Sequence, residues 1–177
     1  MRYIELDTPA LLIDRERLTK NLKDMQSYAD AHGVALRPHT KTHKCPEIAK
    51  MQLAAGACGI AVAKVGEAEA MAEAGLDNLF IANEIVGEAK LRRIAALAKR
   101  GVKLAFGVDT PCQVTAAESV FAQEGVSVPV LVEIEVGENR SGVIEEADFL
   151  ALLDSIRACP HVPFGGIFSH DGNSYSA

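Results

Sequence analysis

Short apolar runs alternate with longer amphipathic stretches along almost the whole chain. Strand-length runs fall at 34–38, 57–63, 78–83, 102–108, 129–136 and 163–169. Helical patterning fills the segments near 44–55, 65–74, 86–99, 111–124 and 145–158. Ahead of these, Leu11-Leu12-Ile13-Asp14 reads as a strand. Arg15 to His32 reads as an amphipathic helix with Leu18, Leu22, Met25 and Ala29 on one face. Gly33, Gly56, Gly75, Gly101 and Gly125 each sit just past a predicted helix, as C-terminal caps do. Strand-helix alternation of this kind predicts a parallel sheet with crossover helices, and the right-handed crossover rule favours a barrel or a doubly wound sheet.

The even spacing, with no linker or low-complexity tract, predicts one α/β domain over residues 1–177. Six βα units fit, counting from 34–38. A closed (β/α)8 TIM-type barrel takes about 250 residues, so the expectation is a barrel cut short after about six units, a fragment of something longer. Ser169-His-Asp-Gly-Asn-Ser-Tyr-Ser-Ala177 then reads as an active-site loop.

Composition narrows the function classes. Hydrophobic residues make up 49% of the chain, which fits a globular protein. The net charge is −6, no basic patch occurs, and there are three tyrosines, six phenylalanines and no tryptophan, which argues against a nucleic-acid partner. Cys45, Cys58, Cys112 and Cys159 are scattered, as expected of reduced thiols in a cytoplasmic protein rather than of a disulfide framework or a zinc ribbon. No uncharged apolar stretch reaches the ~18 residues of a membrane span, and the first residues lack an apolar signal core.

The candidate chemistry collects at strand ends. Arg37-Pro-His-Thr-Lys-Thr-His-Lys44 places Lys41 where a strand gives way to a helix, among His39, His43, Arg37 and Lys44. A neutral lysine amine is a nucleophile that forms Schiff bases. Arg140 follows the run at 129–136, in a loop bracketed by Gly137 and Gly142, and His170 follows the run at 163–169. Carboxyl ends of parallel barrel strands share one face, so three distant positions are expected to converge on one pocket. Each has a plain structural reading too. Lys41 can be a solvated loop residue, Arg140 can pair with Glu138 or Glu135, and His170 can pack at a strand end. His39 is two residues from Lys41 and is expected on the same face of a strand edge, either facing inward or as a hydrogen-bonded core histidine. His39 and His43 straddle a strand end, so their spacing does not make a metal pair. Lys64, Asn83, Glu84 and Asp109 also follow strands, with no chemistry assigned.

Four stretches together resemble a known group: Asp7-Thr-Pro-Ala-Leu-Leu-Ile-Asp14, Arg37-Pro-His-Thr-Lys-Thr-His-Lys44, Val132-Glu-Ile-Glu-Val-Gly-Glu-Asn-Arg-Ser-Gly142 and Ser169-His-Asp-Gly-Asn-Ser-Tyr175. They are similar to the D-threonine aldolase and eukaryotic-type D-serine dehydratase group, within the alanine racemase-like, fold-type III pyridoxal phosphate enzymes. Metal-dependent 3-hydroxyaspartate aldolases are similar as well. The Pro-His-x-Lys-Thr-His-Lys string is the specific part, whereas the Gly-x-x-Arg-x-Gly loop is spread more widely. The resemblance implies a barrel of the alanine racemase N-terminal kind and a lyase acting on β-hydroxy D-amino acids, by retro-aldol cleavage or by elimination. It implies Lys41 as the Schiff-base lysine for pyridoxal 5′-phosphate, Arg140 near the cofactor's phenolic oxygen, His170 beside its ring, and Tyr175 and His39 in its surroundings. Lys41 and His170 are then the candidate bases. The resemblance further implies a divalent metal (Mn, Mg or Zn), with ligands in a smaller β-domain outside this chain, cofactor-phosphate loops after later strands, and a homodimer. With those parts missing, the chain alone is expected to be weakly active or inactive. Other readings are a non-catalytic pyridoxal phosphate-homeostasis barrel, a cofactor-free Schiff-base aldolase, or a barrel piece with a structural role.

Overall fold

The computed structural model describes residues 2–176. Helix α1 (Arg15–Ala31) and α2 (Pro46–Ala55) precede a strict alternation. It runs β1 (Ile60–Val62), α3 (Val65–Glu73), β2 (Asn78–Glu84), α4 (Glu88–Lys99), β3 (Lys103–Val108), α5 (Pro111–Glu124), β4 (Val130–Ile134), α6 (Glu146–Arg157) and β5 (Phe164–Ser169). The five strands are all parallel and lie in chain order, β1-β2-β3-β4-β5. Helices α3 to α6 pack side by side in the same order. Chain-ordered parallel strands with each crossover helix beside the last make the wall of a barrel.

The predicted helices α2 to α6 and the five later strands form within a few residues of their expected bounds. All five helix-ending glycines carry positive φ. The first two predicted strands do not form. Leu11 to Ile13 form no strand and pair with nothing among the described residues, and Leu11 is fully exposed. Segment 34–38 runs beside β1 but joins it only through Cys58 N–H to Leu36 O, Ala61 N–H to Pro38 O and a single bridge, His39 to Ala61. Pro38 has no N–H to donate, which limits the ladder at that point. The sheet therefore has five strands rather than six.

One core lies between the sheet and its helices. Side chains alternate along each strand, and Leu79, Ile81, Phe106, Val108, Val130 and Val132 pack against Leu91, Ile94, Val114, Phe121 and Leu152. The opposite, concave face carries Phe80, whose ring meets Phe168 edge-on at 5.0 Å.

Helix α1 is built from the expected pattern but turned differently. Gln26 and Ala29 are its buried residues, while Met25 is 49% exposed. Helix α2 and the 34–38 segment lie against part of its apolar stripe. Its start is firm: the Asp14 carboxylate accepts from the N–H groups of Glu16 and Arg17, each at 3.0 Å. Asp14→Ala leaves those donors without a partner and is expected to lower the unfolding free energy by about 1 kcal/mol, with Asp14→Asn closer to wild type. Urea denaturation checks both.

Candidate active site

Lys41 lies in one 3-10 turn, Thr40–Thr42, and not on a strand edge. Two bonds fix that turn. Lys41 N–H donates to His39 Nδ1 at 3.2 Å, and the buried Thr40 hydroxyl donates to Ala61 O at 3.3 Å. The expectation that His39 and Lys41 share a strand face is thus corrected. The chain turns at Thr40, and the His39 ring folds back as its N-terminal cap. Burial holds the His39 pKa below the usual histidine range, and the charges of Lys41 and His170 push the same way against Glu67. An uncharged ring agrees with Nδ1 acting as acceptor.

A cavity of about 690 Å³ occupies the concave face. Lys41, His39, Arg140 and His170 all line it, with Asn83, Glu84 and Glu133. Phe80, Leu131 and Phe168 form its apolar middle, and Arg37, Asn78 and Lys103 lie at the amino ends of the strands. Residues 99 positions apart in sequence, Lys41 and Arg140, meet here because parallel strands present their carboxyl ends on one rim.

The loop after β4 carries Arg140. It wraps on the Glu135 carboxylate, which accepts from Gly137 N–H at 2.8 Å and Asn139 N–H at 2.7 Å. Those backbone donors, Asn139 first, hold the Glu135 carboxyl below its ordinary range. Gly142 closes the loop with φ +98°, and a Cβ there would sit 2.7 Å from Glu135 N. A side chain at this position therefore pushes the backbone apart. Arg140 does pair with Glu138, at 3.8 Å, and lines the cavity as well. Glu138 Oε2 also receives His170 Nδ1 at 2.7 Å.

Tyr175 is not brought to the cavity. It projects from the 3-10 turn Gly172–Ser176 and is 90% exposed. Asp109 turns away to Gln113 and the Gly142 N–H, and Lys64 starts α3. Among the described residues, no cluster of three or more His, Cys, Asp or Glu side chains could hold a metal ion, and no helix is long and apolar enough to cross a membrane.

Glu84 and Glu133 are the unforeseen pair. Glu84 was readable only as a strand-end residue, and Glu133 sits inside an apolar run, where an acid at the inward period-two position was the available signal. Glu133 is 4% exposed, and Glu84 Oε1 is buried without a partner. Both acids line the cavity, so each carboxylate disfavours ionisation of the other. Burial first, then Glu133, pushes the Glu84 pKa up to about 8 from 4.5. The folded state thus binds a proton that the unfolded chain releases, so this group's contribution is complete below pH 4.5 and is lost as pH rises to about 8. Glu84→Gln is expected to gain stability over wild type progressively across that window. Urea midpoints of both proteins at its two ends check this.

With this geometry in view, residues 13–177 match the family described as alanine racemase, N-terminal domain, and the chain belongs to that family. It is 44% identical over 168 residues to a D-threonine aldolase of Arthrobacter sp, covering 95% of this chain and 44% of that protein. It is 37% identical over 175 residues to a D-threo-3-hydroxyaspartate dehydratase of Delftia sp. (strain HT23), covering 97% of this chain and 45% of that one. The crystal structure of D-threonine aldolase from Filomicrobium marinum superposes with a TM-score of 0.90 at 40% identity, over 96% of this chain and 45% of that chain. The chain spans less than half the length of these relatives. The alanine racemase-like barrel expected from the sequence is the fold, present here as a five-stranded parallel wall.

Proposed function

We propose that this chain is the cofactor-bearing barrel portion of a pyridoxal phosphate-dependent lyase acting on β-hydroxy D-amino acids, with Lys41 holding the cofactor's aldehyde. The observation that carries this reading is the meeting of Lys41, His39, Arg140 and His170 on one cavity. The named activities of the aldolase and dehydratase relatives support the substrate class.

The residues present fit the cofactor. At about 690 Å³, the cavity lies within the range of small-molecule sites. Lys41 supplies an exposed amine on an anchored turn, Arg140 a cation at the mouth, and Phe80, Leu131 and Phe168 an apolar bed for an aromatic ring. When bound, pyridoxal phosphate supplies the electron sink for breaking a bond at the substrate's α-carbon. The chain's own share is placement and proton handling. His39 and Thr40 hold the Lys41 backbone at the mouth. Lys41, once its amine is free, and His170 are the groups placed to accept a proton from the substrate. Phe80 and Phe168, packed edge-on, give the ring an apolar surface to rest on. The four cysteines are unlinked, which supports a cytoplasmic location.

Incubation with D-threonine, D-serine and 3-hydroxy-D-aspartate, with added pyridoxal phosphate and with or without Mn, tests the reading. Release of glycine plus aldehyde, or of keto acid plus ammonia, is expected from D but not L substrates. Turnover of L substrates alone overturns it.

A further inference from the structure

We propose that Glu138 is a positioning residue that sets the tautomer of His170, fixing hydrogen on Nδ1 and leaving Nε2 as the proton acceptor toward the cavity. The inference rests on the functional reading above for its purpose, but not for its geometry. His170 comes from the end of β5, and Glu138 from the loop after β4. His170 Nδ1 lies 2.7 Å from Glu138 Oε2. An ionised carboxylate only accepts, so Nδ1 must carry the hydrogen in this bond. In the uncharged ring the lone pair then resides on Nε2, and His170 lines the cavity. A base in this cavity needs that lone pair.

The surroundings are built around the Glu138 carboxylate. The same oxygen lies 3.8 Å from the Arg140 guanidinium, so one acid tethers cavity groups from two loops. The loops are latched again by Asn173 Nδ2, which donates to Val136 O at 3.2 Å. Any side chain at Gly172 would overlap Glu138 Oε1. His170 thus has little freedom to turn its ring over while Glu138 is in place.

Nitrogen-15 NMR of the full 177-residue chain, labelled at histidine, reads the tautomer without cofactor or turnover, with His170→Gln assigning the signal. The Nδ1–H form of His170 is expected to dominate in wild type. Glu138→Gln keeps an accepting oxygen and is expected to retain it. Glu138→Met keeps the shape without an acceptor and is expected to shift the majority to Nε2–H, the form free imidazole side chains favour. A merely structural role leaves the tautomer unmoved. Dominant Nε2–H in wild type, or an unchanged tautomer in folded Glu138→Met, overturns the proposal. The wild-type spectrum decides even if that variant fails to fold. Failure of the chain to capture pyridoxal phosphate while the tautomer stands refutes the functional reading and leaves this assignment intact.

Discussion

Lys41→Ala is expected to abolish covalent capture of pyridoxal phosphate. Visible absorbance that appears on mixing wild-type chain with the aldehyde, and bleaches with borohydride, should be absent in the variant. Lys41→Arg should fail equally, because a guanidinium stays protonated and is no amine nucleophile. The effect belongs to the side chain alone. The turn is held by the Lys41 backbone N–H on His39 and by the Thr40 hydroxyl on Ala61, and the lysine side chain stands in solvent at the mouth. Unfolding midpoints of both variants should therefore stay within about 0.5 kcal/mol of wild type. Unaltered capture by Lys41→Ala would mean that another amine does the work.

Phe106→Ala is expected to be the most damaging core substitution. Phe106 is 0% exposed at the centre of β3, paired with Ile81 of β2 and Val130 of β4. Its ring meets Phe121 of α5 edge-on, with centroids 6.1 Å apart. Emptying such a site costs about 3–5 kcal/mol, transfer and cavity terms together. Whole domains are stable by only about 5–15 kcal/mol, so a large share goes with one ring. Capture of cofactor should fall with it, since Glu84, Arg140 and His170 ride on the ends of β2, β4 and β5. Phe80→Ala, on the half-buried cavity face, should cost clearly less. Equal urea midpoints for the two variants would contradict this placement of the core.

Why some of this was legible in the sequence, and some was not, follows from the range of the forces involved. Helices α2 to α6 and strands β1 to β5 are written in local patterning, because each buries a face whose period is set by its own backbone. The meeting of Lys41, Arg140 and His170 on one cavity follows from topology, since parallel strands share a rim. Leu11-Leu12-Ile13 has the same apolar signature as a true strand but lacks a neighbour, and a strand is a property of two segments. Pro38 reduced another expected strand to one bridge, a breaker visible in the sequence but outweighed by the apolar residues before it. Distances decided the remainder. The cap made by His39, the raised pKa of Glu84 beside Glu133, and the hold of Glu138 on His170 each depend on ångström-scale placement that no spacing encodes. Tyr175 went the other way: its motif pointed to a pocket, and its ring stands in water.

Reduction of the cofactor-treated chain with borohydride, followed by peptide mass mapping, bears most directly on the vitamin-derived aldehyde's point of attachment. A single pyridoxyl increment on the peptide containing Lys41 is the result this structure predicts. The same increment spread evenly over surface amines such as Lys50 and Lys99, with no preference for the turn at 40–42, would contradict it.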